Sequence, residues 1–179
     1  DTPAISAFVD DLIRYLNNTD KKVVIDADAI NVLAKSGATS LPKNSVITPH
    51  PMELSRLIDV PLETIQKERV HYAKFAAEKF GCCVVLKGHN TVVCTRDMEI
   101  FVNTSGNSSL AKAGSGDVLT GIISGLLAQG LCVRDAAVLG VYLHGLCGEL
   151  ASVDLTVYSV LATNQIDYIP KAIKRILES

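Results

Sequence analysis

The chain has 179 residues, 48% of them hydrophobic and 20% charged, with a formal net charge of −2. That length suits one domain over residues 1–179 with a sizeable core, and the charge balance gives no electrostatic basis for binding nucleic acid or an anionic membrane surface. Five cysteines, Cys82, Cys83, Cys94, Cys132 and Cys147, show neither metal-ligand spacing nor the even count of a disulfide framework, and read as buried, reduced thiols of a cytoplasmic protein.

The amphipathic N-terminus is not a signal peptide. Thr2-Pro3 reads as a cap and first turn, and Ile5, Phe8, Val9, Leu12, Ile13 and Leu16 fall on one helical face. "KKVVIDAD" predicts a short buried strand with acids at its C-terminal end. Its β-branched core predicts a central strand with a neighbour on each side. "AINVLAKSG" predicts a helix stopped at Gly37, and "SVITPHP" a second strand running into prolines.

"LETIQKERVHYAKFAAEKFG" predicts one long helix ending at Gly81. "CCVVLKG", "TVVCT" and "EIFVN" predict a meander of strands, turned at Gly88-His89-Asn90 and Arg96-Asp97. A helix then starts near Ser115. Val118, Leu119, Ile122, Ile123, Leu126 and Leu127 form its apolar face, and Gly121 and Gly125 lie where a neighbour can approach closely. The most apolar run, Val118–Val133, is too short to span a bilayer. Two further helices follow, the second with Thr163 as candidate cap and kinked or split by Pro170. Strands and helices alternate, so the fold class is α/β with a largely parallel sheet.

Four stretches can carry chemistry. In "AGSGDVLTG" a helix N-terminus follows Gly114-Ser115-Gly116, where backbone N–H groups attract phosphate. Asp117 is there either a dipole-stabilising first-turn acid or a base beside a bound phosphate. Asp26 and Asp28, with Asn31 nearby, either hold Mg²⁺ through water or cap the next helix. His50 stands between two prolines with Glu53 three residues on, and Lys87 ends a strand before Gly88, either contacting phosphate or lying in solvent. His71 and His144 read as ordinary helix residues.

"VIDADAIN", "TPHPMELSRL", "LKGHNTVV", "AGSGDVLTGIISGLLAQG" and "VYLHGLCGELA", in this order, resemble the signature blocks of ADP/ATP-dependent NAD(P)H-hydrate dehydratase, of the ribokinase-like superfamily. The resemblance covers about Val23 to the C-terminus and implies a three-layer α/β sandwich. It also implies the chemistry: a nucleotide phosphorylates the hydroxyl of hydrated NADH or NADPH, and phosphate is then eliminated. By the same resemblance Asp117 is the base and touches the substrate, and His50 lies on the hydrate. Gly114, Ser115 and Gly116 form the anion hole, and Lys87, Gly88, His89, Asn90 and Thr91 line the nucleotide site. The implied co-substrate is ADP or ATP with Mg²⁺. The implied partners are hydrated NAD(P)H and adenine nucleotide, with a homo-oligomer expected. "ATNQ", at Ala162 to Gln165, replaces a common Ala-Thr-Asp.

The family's domain begins upstream of the helix that opens this chain, so the resemblance implies that an upstream segment of the same domain packs against it. Two other functions share these motifs. One is a small-molecule hydroxyl kinase, which leaves a stable phosphate ester. The other is a nucleotide-binding module without catalysis.

Overall fold

The computed structural model describes residues 2–178. They form two compact units, the first running through Val102 and the second beginning at Asn103.

The first unit is an α/β assembly. Its elements are α1 (Pro3–Asn17), β1 (Val23–Ile25), α2 (Asp28–Ser36), β2 (Ser45–Ile47), α3 (Pro51–Ile58), α4 (Leu62–Lys67), α5 (Arg69–Phe80), β3 (Cys83–Leu86), β4 (Val92–Cys94) and β5 (Ile100–Val102). The strands lie in sequence order in one sheet. β1, β2 and β3 pair in parallel, with Val24 opposite Val46 and Ile47 opposite Val84. β3, β4 and β5 pair antiparallel, so the sheet is evenly mixed where a largely parallel one was expected. Helical crossovers build the parallel half, and the short turns read at Gly88–Asn90 and Arg96–Asp97 build the antiparallel half. Every residue of β2, β3 and β4 is buried. Val46, Ile47, Val84, Val85 and Leu86 are each fully enclosed, and each such side chain contributes about 1.5–3 kcal/mol by leaving water.

β1 has β2 on one side and no strand on the other among the described residues, so Val23 and Val24 are only half-buried; the expected second neighbour is one that the upstream segment would supply. Three expectations change here. The apolar face of α1 is covered only toward its end: Ile13 and Leu16 are buried, while Ile5, Phe8 and Leu12 are exposed. The single helix expected from Leu62 to Gly81 breaks at Glu68, which leaves helical geometry at φ −127° and ψ 48°. Helix α3 was not foreseen, although Pro51 at its first position and Glu53 at its third are helix-start signals.

The second unit is helical. A 3-10 turn (Ser108–Leu110) is followed by α6 (Ser115–Ala128), α7 (Val133–Ser159), α8 (Ala162–Asp167) and α9 (Ile169–Leu177). Ile122, Leu143, Leu146, Cys147 and Ala172 form one apolar cluster of this unit. The close approach lies on α7: a Cβ at Gly140 would meet Ile123, while Cβ atoms at Gly121 or Gly125 would meet nothing. Gly145 is tighter still, since its Cβ would stand 2.7 Å from the Ser105 backbone. α7 is long and apolar enough to cross a membrane, but 61% of its most apolar window is buried inside the protein. Pro170 splits the final helix as expected, at Tyr168. The cap of α8 is Leu161 rather than Thr163, because the Leu161 N–H is taken by Asn164 Oδ1 at 2.8 Å.

Four cysteines are buried free thiols, but Cys132 is exposed, because it caps α7 with its sulfur accepting the Asp135 N–H.

Candidate active site

In the first unit the chemistry-bearing side chains collect at the C-terminal ends of β1, β2 and β3. Asp26 follows β1, His50 and Glu53 follow β2, and Lys87 follows β3, which is where parallel strands present ligand sites. The Lys87 N–H donates to the Pro49 carbonyl at 2.9 Å and fixes the spacing of two of these ends. Lys87 Nζ donates to Asp26 Oδ1 at 2.9 Å and stands 3.8 Å from Glu53 Oε2. His50 and Glu53 close a capping box. The Glu53 N–H donates to His50 Nδ1 at 3.1 Å, and the His50 N–H donates to Glu53 Oε2 at 2.7 Å. Since His50 Nδ1 accepts, its ring proton sits on Nε2, 3.3 Å from Glu53 Oε1. The side chains of Asp26 and Glu53 are 9% and 7% exposed, and that of Lys87 20%, so the ammonium is a partly enclosed bridge between two carboxylates rather than a solvent-facing turn lysine.

The loop after Lys87 is held from behind. Arg69, at the start of α5, donates through Nη2 to the carbonyls of Leu86 at 2.9 Å and Lys87 at 3.3 Å. Burial lowers the Arg69 pKa from its ordinary value. Gly88 has φ 146°, and a Cβ there would collide with the Arg69 guanidinium. Thr91 donates to the Gly88 carbonyl at 3.0 Å and closes the turn, leaving Gly88, His89 and Asn90 exposed. A cavity of about 510 Å³ opens beside this loop, lined by His89 and Asn90 together with Lys67, Arg69 and His71.

In the second unit Gly114 turns the chain at φ 84° into α6. The Ser115 side chain points inward and is buried, and its N–H donates to the Lys112 carbonyl at 3.2 Å. Asp117 is exposed, stands in the first turn of α6, and makes no hydrogen bond or ion pair among the described residues. The Gly116 and Asp117 N–H groups have no intrahelical acceptor, so two backbone donors and one open carboxylate share this helix end.

The residues singled out from the sequence therefore gather in two sets. His50 and the Lys87–Thr91 loop belong to the first unit, and Gly114 to Asp117 belong to the second. Asp26 and Asp28 do not act together: Asp26 pairs with Lys87, while Asp28 is an exposed acid in the first turn of α2. Asn31 accepts from Arg56 at 3.1 Å. Arg69 and the full role of Glu53 were missed. Nothing local marks Arg69, because its partners are carbonyls 17 and 18 residues away. No group of three or more His, Cys, Asp or Glu side chains among the described residues is arranged to hold a metal ion. The single Lys87 ammonium pairs with Asp26 and stands near Glu53, and so offsets part of the charge of these two carboxylates.

A sequence model of the NAD(P)H-hydrate dehydratase family matches residues 3–171. The ADP-dependent (S)-NAD(P)H-hydrate dehydratase of Neisseria meningitidis is 48% identical over 137 residues, which are 74% of this chain and 46% of that protein. The crystal structure of the ADP/ATP-dependent NAD(P)H-hydrate dehydratase of Bacillus subtilis, co-crystallised with ATP/Mg²⁺, superposes with a TM-score of 0.85 at 35% identity. It covers 97% of this chain and 60% of that one. A ribokinase-like superfamily protein of Enterococcus faecalis superposes with a TM-score of 0.84 at 31% identity, over 98% of this chain and 60% of that one. The α/β fold is therefore ribokinase-like, and the chain spans about half the length of the curated relative from Neisseria.

Proposed function

The chain belongs to the NAD(P)H-hydrate dehydratase family, and from that premise we propose that it takes part in nucleotide-dependent dehydration of hydrated NADH or NADPH. One observation carries the reading: Asp117 is an exposed, unpartnered carboxylate beside the free Gly116 and Asp117 amides of α6. A base must be unpaired to accept a proton, and phosphoryl transfer asks mainly for positioning and charge stabilisation.

In this mechanism Asp117 takes the proton from the hydrate's hydroxyl as its oxygen attacks the terminal phosphorus of ADP or ATP, whose bond to the bridging oxygen breaks and releases AMP or ADP. The Gly116 and Asp117 amides, with the glycine turn at Gly114, meet the charge that gathers on the transferred group. The Ser115 hydroxyl is turned inward and does not itself face the transferred group. Loss of phosphate from the ester, together with a proton from the adjacent ring carbon, then restores the nicotinamide double bond. His50 offers Nε2–H to the hydrate, and the Lys87–Thr91 loop takes the nucleotide with the exposed His89 and Asn90. Mg²⁺ enters with the nucleotide phosphates, where it neutralises charge.

The reading extends to residues 1–179 as part of one domain, working in the cytoplasm. The uncovered apolar face of α1 supports association with a further segment or a second copy.

The test is incubation with hydrated NADPH and ADP or ATP, following recovery of the reduced nicotinamide absorbance and release of inorganic phosphate. Recovery of both together supports the proposal. A stable phosphate ester without recovered absorbance makes the protein a kinase, and nucleotide binding without turnover makes it a binding module.

A further inference from the structure

α6 begins on a residue whose side chain is tied into the interior. Ser115 Oγ donates to Gln165 Oε1 at 3.2 Å and lies 3.2 Å from His144 Nε2. His144 Nε2 is in turn 3.0 Å from Gln165 Oε1. All three residues are buried, at 4%, 8% and 0% exposure. An amide oxygen only accepts, so the serine hydroxyl and the imidazole must both donate to it.

The triangle joins three helices at one point: the first residue of α6, the middle of α7, and α8. α8 touches the same turn again, since a Cβ on Gly114 would stand 3.2 Å from the Ala162 Cβ. Leu119 and Ile122 of α6 and Leu143 and Leu146 of α7 are buried and apolar. An apolar trio would pack there without polar obligations. The trio that is present leaves one unmet, because Gln165 Nε2 is buried with no hydrogen-bond partner. Such local violations are expected where function, not stability, selects the residue.

We propose that Ser115, His144 and Gln165 are positioning residues, which hold the Gly114–Asp117 turn in the geometry that its amides and carboxylate need for phosphoryl transfer. The proposal deepens the dehydratase reading and rests on it for the reaction, but not for the geometry. Ser115 acts as a hook. Its hydroxyl is pulled inward at the first position of α6, so the backbone of the next two residues is fixed with its N–H groups outward. Because the hook is a directed bond in a low-dielectric surrounding, it restricts orientation more tightly than apolar contact does.

Three variants of the full protein test this: Gln165→Met, Ser115→Ala and Ser115→Thr. Gln165→Met removes the unmatched donor, so its thermal midpoint holds or rises. Its kcat falls about tenfold to a hundredfold, the scale of a slightly misplaced reacting group, while KM for hydrate and nucleotide stays within about twofold. Ser115→Ala repeats the kcat loss, and Ser115→Thr, which keeps the hydroxyl, recovers most of it.

Wild-type kcat in Gln165→Met overturns the proposal. So does a joint fall of stability, kcat and KM-derived affinity without rescue by Ser115→Thr, which is the pattern of a structural role alone. The ¹H–¹⁵N resonances of Gly116 and Asp117 give a readout independent of turnover. They move in Gln165→Met and Ser115→Ala if the hook sets the turn, and their staying in place refutes it. If the unmodified protein does not act on hydrated NADPH while these resonances move as expected, the dehydratase reading fails and the positioning device stands.

Discussion

Two sets of candidate site residues, one in each unit, treat their charged groups in opposite ways. In the first, Lys87 bridges Asp26 and Glu53, and Glu53 also grips the backbone of His50. Each of these three charges has a partner before any ligand arrives. In the second, Asp117 has no partner among the described residues, and the polar groups that steady its turn are hidden behind it in the Ser115–His144–Gln165 triangle. Under the proposed dehydratase reading, the difference matches the two tasks of group transfer. A binding surface gains from preorganised charges that cannot collapse when the ligand leaves. A reacting carboxylate must stay available, so only its backbone is restrained.

The largest test of that contrast is Asp117→Asn. The amide fills the same space and leaves the α6 turn intact, but it cannot accept the hydroxyl proton. Turnover is expected to fall about 10²- to 10⁴-fold, the usual range for loss of a general base. Nucleotide affinity, followed by calorimetric titration, should change little. Turnover close to that of the unmodified protein would remove Asp117 from the chemistry and leave it a first-turn acid.

The next effect is on the paired side. Asp26→Ala removes the 2.9 Å partner of Lys87 and leaves the ammonium with Glu53 alone at 3.8 Å. Breaking a fully buried pair costs about 3–5 kcal/mol. Lys87 keeps some access to water, so about 1–3 kcal/mol is expected, read from urea unfolding. The double variant Asp26→Ala/Lys87→Met should regain none of that loss, because it leaves the enclosed Glu53 carboxylate without an ammonium. Unchanged stability in Asp26→Ala would show that the first unit is not held by its charges, and the contrast with the second would lapse.

How much of this was legible in the sequence depends on the range of the interaction. The α1 cap at Thr2, the stop of α2 at Gly37, the strand meander and the start of α6 at Ser115 rest on neighbours a few residues apart, and all were read correctly. The break at Glu68 was not, because helix periodicity runs straight across it, and the anchoring of Arg69 comes from carbonyls at Leu86 and Lys87. His144 read as an ordinary helix residue, since its partners lie 29 and 21 positions away. The exposure of Ile5, Phe8 and Leu12 could not be read from α1 either, because amphipathicity states which face seeks cover and not whether cover is present. Gly121 and Gly125 misled for a related reason: the close contact is made by Gly140 of the partner helix.

The smallest expected effects concern the thiols, which divide the units in a second way. Burial raises the pKa of all three cysteines in the first unit, Cys83 to about 12. In the second unit burial raises Cys147 to about 11, against an ordinary value of 9.0, while Cys132 lies exposed. A thiol becomes charged on losing its proton, so a raised value means that the folded protein keeps protons that the unfolded chain releases. The stability tied to Cys147 is therefore whole below about pH 9 and is lost as pH rises toward about 11, with Cys83 extending the loss to about 12. Unfolding midpoints measured from pH 8 to pH 11 should fall along that window, and less steeply in Cys147→Ala once its own offset at pH 7 is subtracted. Under native conditions a thiol reagent such as dithionitrobenzoate should react fast with one cysteine, and Cys132→Ser should abolish that phase. The same substitution replaces a weak sulfur acceptor, 3.4 Å from the Asp135 N–H, by a preferred helix-capping hydroxyl. It should raise stability by about 0.5 kcal/mol. A fast phase that survives Cys132→Ser would mean that one of the four enclosed thiols opens readily. The apolar packing assigned to that cysteine's unit would then be looser than its burial indicates.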